Sequence, residues 1–298
     1  MDFIRSNLLR RSTLATAVIE EDLPTNPLSH INVSISGFNV TDEATLAEIL
    51  AFLITAKVTD AGRVVVNLQS EDLYGLDCYL YRRRPHLTSR LAADNSTRTL
   101  GLIIPFGRRT FDPDECYPAR KRGDLKLSLD MTALGTSIDN GVIDIEAVEL
   151  PGASPSRYLK SVVKVVTAPG ATGDNDIRLP IGNQIVALQV RMTTFPGAGS
   201  HVYGVEDCTV LRSNREFGYV GNVAQSLIAD GIFHVDGQSG IIPAQSEILP
   251  DNIVWLDYDP AKDGRYLMET ADASDLVLRL NMGVDEATYV TVLELVRV

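Results

Sequence analysis

Four histidines, three cysteines and 39 acidic side chains are the residues from which a 298-residue chain of this composition would build a reactive site. His30, His86, His201 and His234 stand far apart, with no H-x-H pair of the kind a small β-barrel needs to hold iron or zinc. Cys78, Cys116 and Cys208 are widely spaced and form no CxxC. That pattern gives neither a zinc knuckle nor a disulfide framework, and reads as buried free thiols in a reducing compartment. There is no G-x-S-x-G, P-loop or G-x-G-x-x-G. Gly237-Gln238-Ser239-Gly240 resembles part of a nucleophile turn but lacks the strand before it and the helix after it, so it reads as an ordinary turn. Nothing selects one carboxylate pair for glycoside hydrolysis. No catalytic set emerges, and an enzyme is not expected.

The charged clusters carry more. Asp112, Asp114 and Glu115, and likewise Asp174 and Asp176 in "TGDNDI", have the oxygen-rich character of weak calcium sites, although neither has EF-hand spacing. Calcium is therefore the one ion these clusters suit, and no cofactor is expected. The net charge of -12 argues against docking on DNA or RNA, because phosphate-binding surfaces are basic. Yet residues 82–122 hold ten Lys/Arg against four acids, and residues 1–19 hold Arg5, Arg10 and Arg11 against Asp2. Arg82-Arg83-Arg84, Arg108-Arg109 and Arg120-Lys121-Arg122 fall at strand ends and in loops. They read either as solvated loop charge or as contacts to carboxylates of a neighbouring copy, which arginine pairs with bidentately.

The elements that position these residues follow from hydrophobic period. Residues 1–22 read as a basic helical arm, with Ile4, Leu8 and Leu9 at helical spacing, stopped by Leu23-Pro24-Thr25-Asn26-Pro27. The period then becomes two: Ile31, Val33 and Ile35 alternate with Asn32, Ser34 and Ser36. Thr41 to Leu53 and Ser70 to Tyr81 read as short helices, the second capped by Ser70. Between them "ITAKVT" and "RVVVNL" form a hairpin around Gly62. "TLGLIIPF", "DLKLSLDM" and "VIDIEAVEL" complete the first half as strands. In the second half "YLKSVVKVV", "QIVALQVRM", "VEDCTVL", "NIVWLDY", "DLVLRLNM" and "TYVTVLELVRV" are strand-like, and "YVGNVAQSLIAD" is helical.

The two halves echo each other. Asp124-Leu-Lys-Leu-Ser-Leu-Asp-Met131 returns 151 residues later as Asp275-Leu-Val-Leu-Arg-Leu-Asn-Met282, identical at five of eight positions. The order strand, helix, strand, strand, strand recurs at nearly the same spacing, which chance identity does not produce. Many short strands with few helices favour sandwiches, and each half is long enough for a jelly roll. The expectation is an all-β chain of two tandem eight-stranded jelly rolls with short helices: arm 1–22, first jelly roll 23–150, second 151–298.

Leu23-Pro24, Leu28-Ser29-His30, Ser36-Gly37, Asp72-Leu73-Tyr74 and Ile104-Pro105-Phe106-Gly107 give residues 23–150 a resemblance to the corticovirus-type major coat proteins of tailless, membrane-containing icosahedral bacteriophages. The resemblance implies a double jelly roll and a virion capsid location, with assembly in the host cytoplasm. It also implies a homotrimer of six-cornered outline that contacts neighbouring capsomers, minor capsid and penton proteins, and an internal lipid membrane. The basic arm would touch that membrane through Arg5, Arg10 and Arg11, with Arg82, Arg83, Arg84, Arg108 and Arg109 at subunit interfaces. No sequence-specific nucleic-acid contact is expected. The alternative is a carbohydrate-binding or glycan-processing tandem jelly-roll protein.

Overall fold

Alternating segments become strands because one face of each can be buried while the backbone bonds laterally. The computed structural model describes residues 2–88, 95–132, 135–194, 201–233 and 252–298. They divide into two compact units, residues 2–160 with 297–298, and residues 161–233 with 252–296. No described helix is long and apolar enough to cross a membrane.

The first unit contains β1 (Ile4–Thr13), β2 (Ala17–Asp22), β3 (Leu28–Asn39), α1 (Leu46–Leu50), β4 (Leu53–Asp60), β5 (Arg63–Gln69), α2 (Ser70–Tyr81), β6 (His86–Leu87), β7 (Thr97–Pro105), β8 (Leu125–Met131) and β9 (Ile138–Glu149). One sheet runs β1-β9-β3-β7-β6, and four further strands run β5-β4-β8-β2. Ile31, Val33 and Ile35 of β3 are buried, as are Leu125, Leu127, Leu129 and Met131 of β8, while Lys126 is exposed. Ala61 and Gly62 both adopt positive φ in the β4–β5 hairpin, the backbone a tight two-residue turn requires. Helix α2 buries Leu73, Leu76 and Leu80 and touches β4, β5 and β7. Its cap position is Gln69, without a side-chain bond, so Ser70 is the first helical residue and not the cap. Helix α1 is shorter than its apolar pattern predicts because Thr45 and Glu48 close a capping box that starts it late.

The largest departure from expectation is at the N-terminus, where the helical arm is instead two strands. β1 pairs with β9, and β2 pairs with β8, both antiparallel. The helical spacing of Ile4, Leu8 and Leu9 is accommodated by register shifts at Asn7/Leu9 and Leu9/Ser12, with Arg11 at φ 48. Such bulges let a strand carry an uneven apolar pattern. The open edges of β9 and β8 supply ladder bonds that outweigh a marginal isolated helix. Leu23, where the arm was expected to stop, is buried and donates its N–H to Leu125 O at 2.9 Å.

The second set of strands is β10 (Arg157–Val166), whose first four residues belong to the first unit, β11 (Gly173–Arg178), β12 (Gln184–Arg191), β13 (Val205–Arg212), β14 (Arg215–Glu216), β15 (Asn222–Val223), α3 (Ala224–Phe233), β16 (Ile253–Asp257), β17 (Leu276–Met282) and β18 (Thr288–Arg297), whose last residue does too. Helix α3 begins at Ala224, later than its apolar pattern predicts, because Asn222 and Val223 pair with β13. The strand orders are β10-β18-β12-β16 and β11-β17-β13-β14, with β15 also on β13. Side chains from both sets, among them Leu188, Val190, Val254 and Val290 on one and Ile177, Val210, Leu278 and Leu280 on the other, form one buried cluster.

These orders match the first unit strand for strand. β1-β9-β3-β7 corresponds to β10-β18-β12-β16, and β2-β8-β4-β5 to β11-β17-β13-β14, with α2 following β5 and α3 following the short β15 after β14. Each unit is therefore an eight-stranded jelly roll, two four-stranded sheets of the same connectivity. The first jelly roll begins at β1, not at residue 23.

Candidate functional site

The sequence-predicted charges do not converge on one centre. Arg108, expected at a subunit interface, is instead buried: its Nε donates to Glu115 Oε2 at 2.8 Å, and Nη2 bonds Oε1. Arg157 adds a second ion pair to Glu115 at 2.8 Å. Burial alone would raise the Glu115 carboxyl, but the Arg108 bond and the two arginine charges hold it below its usual value. Both Glu115 carboxylate oxygens are thus engaged by guanidinium groups. Asp112 accepts the Asp114 N–H at 3.0 Å, the local bond of a turn.

Asp174 and Asp176 lie not in a loop but on β11, beside Arg279 of β17, whose Nε and Nη2 donate to Asp176 at 2.7 and 2.9 Å. The guanidinium thus engages both oxygens of the Asp176 carboxylate. Among the described residues no group of three or more His, Cys, Asp or Glu is placed to hold a metal. Arg120 likewise has a partner: its Nε and the Tyr117 hydroxyl both donate to Asp60 Oδ2 at 2.8 Å. Lys121 and Arg122 are exposed.

Of the N-terminal arginines, Arg5 lies 3.7 Å from Glu146 of β9, while Arg10 and Arg11 are exposed on β1. The three cysteines are free and buried, and burial pushes the Cys116 and Cys208 thiols up to about 11 and about 12. His201 is exposed. His234 and Gly237-Gln238-Ser239-Gly240 lie outside the described residues.

One concave feature does gather chemistry-bearing residues. A cleft of about 620 Å³ in the first unit is lined by the end of α2 (Asp77, Tyr81), by Arg83, Arg84 and His86, and by outward residues of β3 (Asn32, Ser34) and β7. Arg5, Glu146, His30 and Phe111 complete its lining. The Asp77 Oδ2 accepts the Ile103 N–H at 2.8 Å, whereas Asp77 Oδ1 and the Tyr81 hydroxyl, both buried, have no hydrogen-bond partner. Burial raises the Asp77 carboxyl well above the carboxylate range. Burial, and then the Arg5 charge, lowers the His30 imidazole to about 4. Sequence reading singled out Arg83 and Arg84 but not Asp77 or Tyr81, which look there like ordinary positions of an amphipathic helix.

The residues that carry the family resemblance are structural. The Ser29 hydroxyl accepts the Phe111 N–H at 2.7 Å and contacts His30 Nδ1 at 2.9 Å, pinning the loop after β7. A side chain at Gly107 would collide with the Glu115 backbone carbonyl, so only glycine allows that approach.

No known protein-family description matches the chain, and no curated protein matches it. Solved structures do. The STIV MCP superposes with a TM-score of 0.72 at 11% identity, over 100% of this chain and 97% of that one. The major capsid protein from Bacteriophage PM2 gives 0.66 at 14% identity, over 100% and 98%. The PBCV-1 virus capsid gives 0.65 at 9% identity, over 99% and 93%. At such identities the likeness concerns architecture, and it extends through both jelly rolls. This chain has the double jelly-roll fold of those viral capsid proteins.

Proposed function

We propose that the chain is a major coat protein, a non-catalytic block that assembles as a homotrimer and tiles an icosahedral shell over an internal membrane. The observation that carries this reading is the strand-for-strand duplication of one jelly roll within a single chain, matched end to end by solved capsid proteins. Two similar barrels per subunit let a threefold assembly present six corners, so that a ring closed by rotation packs among six neighbours. The alternative of a carbohydrate-binding or glycan-processing tandem jelly-roll protein as the chain's main role has no such support, since those solved structures are capsid proteins.

In this reading the partners are further copies of the chain, neighbouring capsomers, and minor capsid and penton proteins, without sequence-specific nucleic-acid contact. The protein would reside in the virion capsid after assembly in the host cytoplasm. Arg82 and Arg109, exposed on the first unit, serve subunit contacts. Membrane contact falls to the exposed side chains of and before β1, Phe3, Ile4, Arg10 and Arg11, which combine apolar and basic character. Electron microscopy of the purified protein tests the reading: discrete particles of hexagonal outline and threefold symmetry are expected, and elongated monomers would contradict it.

A further inference from the structure

The cleft in the first unit is not needed to explain a coat role, and its chemistry points to a ligand. Its volume of about 620 Å³ falls within the range of small-molecule sites. Arg83 and Arg84 are exposed at its rim, and neither has an ion-pair partner among the described residues. Arg5 and Glu146 lie together and offset each other. The cleft therefore presents two guanidinium groups without an ion pair among the described residues, and such groups bind carboxylate or phosphate oxygens through paired N–H donors.

The floor has a different character. Asp77 is 2% exposed and lines the cleft with one oxygen unpartnered, and the buried Tyr81 hydroxyl beside it is also unpartnered. Buried polar groups without partners are uncommon in folded proteins and call for an explanation. Burial raises the Asp77 carboxyl well above its ordinary value, which disfavours a negative charge on the floor. A carboxyl and a phenol can both hydrogen-bond to hydroxyl groups, and Asn32 and Ser34 add an amide and a hydroxyl from β3. Phe111 and Pro85 supply apolar surface at the side.

We propose that this cleft binds an anionic sugar, its carboxylate or phosphate held by Arg83 and Arg84 and its hydroxyls met by Asp77, Tyr81, Asn32 and Ser34. A bare carboxylate from a neighbouring protein would satisfy the arginines but leave the floor unpaired. A neutral sugar would do the reverse. Only a ligand with both parts uses all six side chains. The proposal is independent of the oligomeric state.

Isothermal titration of the purified full-length chain with glucuronate, glucose 6-phosphate, glucose and inorganic phosphate tests it. Glucuronate or glucose 6-phosphate should bind about tenfold or more tighter than either glucose or phosphate alone. Arg83→Ala with Arg84→Ala, both at exposed positions, should weaken that binding about tenfold or more while leaving the melting temperature unchanged. Tyr81→Phe keeps the ring and should weaken it about three- to tenfold. Four results overturn the proposal: no binding of either acidic sugar, equal binding of glucose, equal binding of phosphate alone, or undiminished binding by the double arginine variant. Loss of self-association in that variant without any sugar binding also overturns it, and reassigns the cleft to a protein contact.

Discussion

Leu127 and Leu278 occupy the same place in two different barrels. Leu127 of β8 stands between Glu21 of β2 and Val58 of β4, and Leu278 of β17 stands between Ile177 of β11 and Val210 of β13. Both are fully buried. Truncation of either to Ala should lower stability by about 2–5 kcal/mol, the usual cost of a large-to-small change in a packed core. Leu127→Asp and Leu278→Asp should each prevent folding, because the charge would be buried without a partner. Chemical denaturation of the alanine variants and solubility of the aspartates check this; stable, soluble aspartate variants would show that the strands face the other way.

The N-terminal residues are expected to be indispensable. β1 and β2 are the edge partners of β9 and β8, so removing residues 1–22 strips one strand from each sheet of the first jelly roll and bares two long edges. Open edges of this kind recruit other chains. The truncated protein should aggregate or give a molten circular-dichroism spectrum. A well-folded, soluble truncation would mean that the two strands are accessory.

The buried Arg108–Glu115 pair, with the partly exposed Arg157 beside it, is predicted to make stability acid-sensitive. The Glu115 pKa in the folded chain lies below its ordinary 4.5, so its contribution is complete above that value and is lost as pH falls through the folded value. Glu115→Gln would leave Arg108 buried without a counter-charge, at a cost of about 3–5 kcal/mol. It should also flatten the loss of stability below about pH 4.5. Thermal melts across pH 3–7 on both proteins (roughly the span of the linkage) measure it; identical profiles would contradict the assignment.

The exposed Arg279–Asp176 pair is expected to behave in the opposite way. Surface ion pairs contribute about 0–1 kcal/mol, so Asp176→Asn should change stability by no more than that. Calcium should leave the melting temperature of the wild type unchanged, because guanidinium groups already hold Asp176 and Glu115. A calcium-dependent rise that Asp176→Asn abolishes would restore the ion site.

Period-two alternation made most of the strands legible, since β8 and β17 bury every second residue throughout and β3 does so from Ile31 onward. The repeat at an offset of 151 pointed correctly to β8 and β17 as equivalents. The first two strands were not legible: the pattern of β1 is broken by two register shifts, and its conformation is set by the edge of β9, more than a hundred residues away. Local propensity does not register such a partner. The charged residues show the same limit. Their types marked Arg108 as an interface candidate and Glu115 and Asp176 as calcium candidates, but only the fold reveals that Arg108 pairs with Glu115 and Arg279 with Asp176. Asp77 and Tyr81 carried no signal, because an unpartnered polar atom is defined by its surroundings.

The central claim is that one chain with two equivalent jelly rolls builds a threefold block. Sedimentation equilibrium of the purified full-length protein, over a range of concentrations, tests it most directly. The predicted result is a stable species of three times the 32.5 kDa chain mass. A monomer or dimer that persists at every concentration would contradict it.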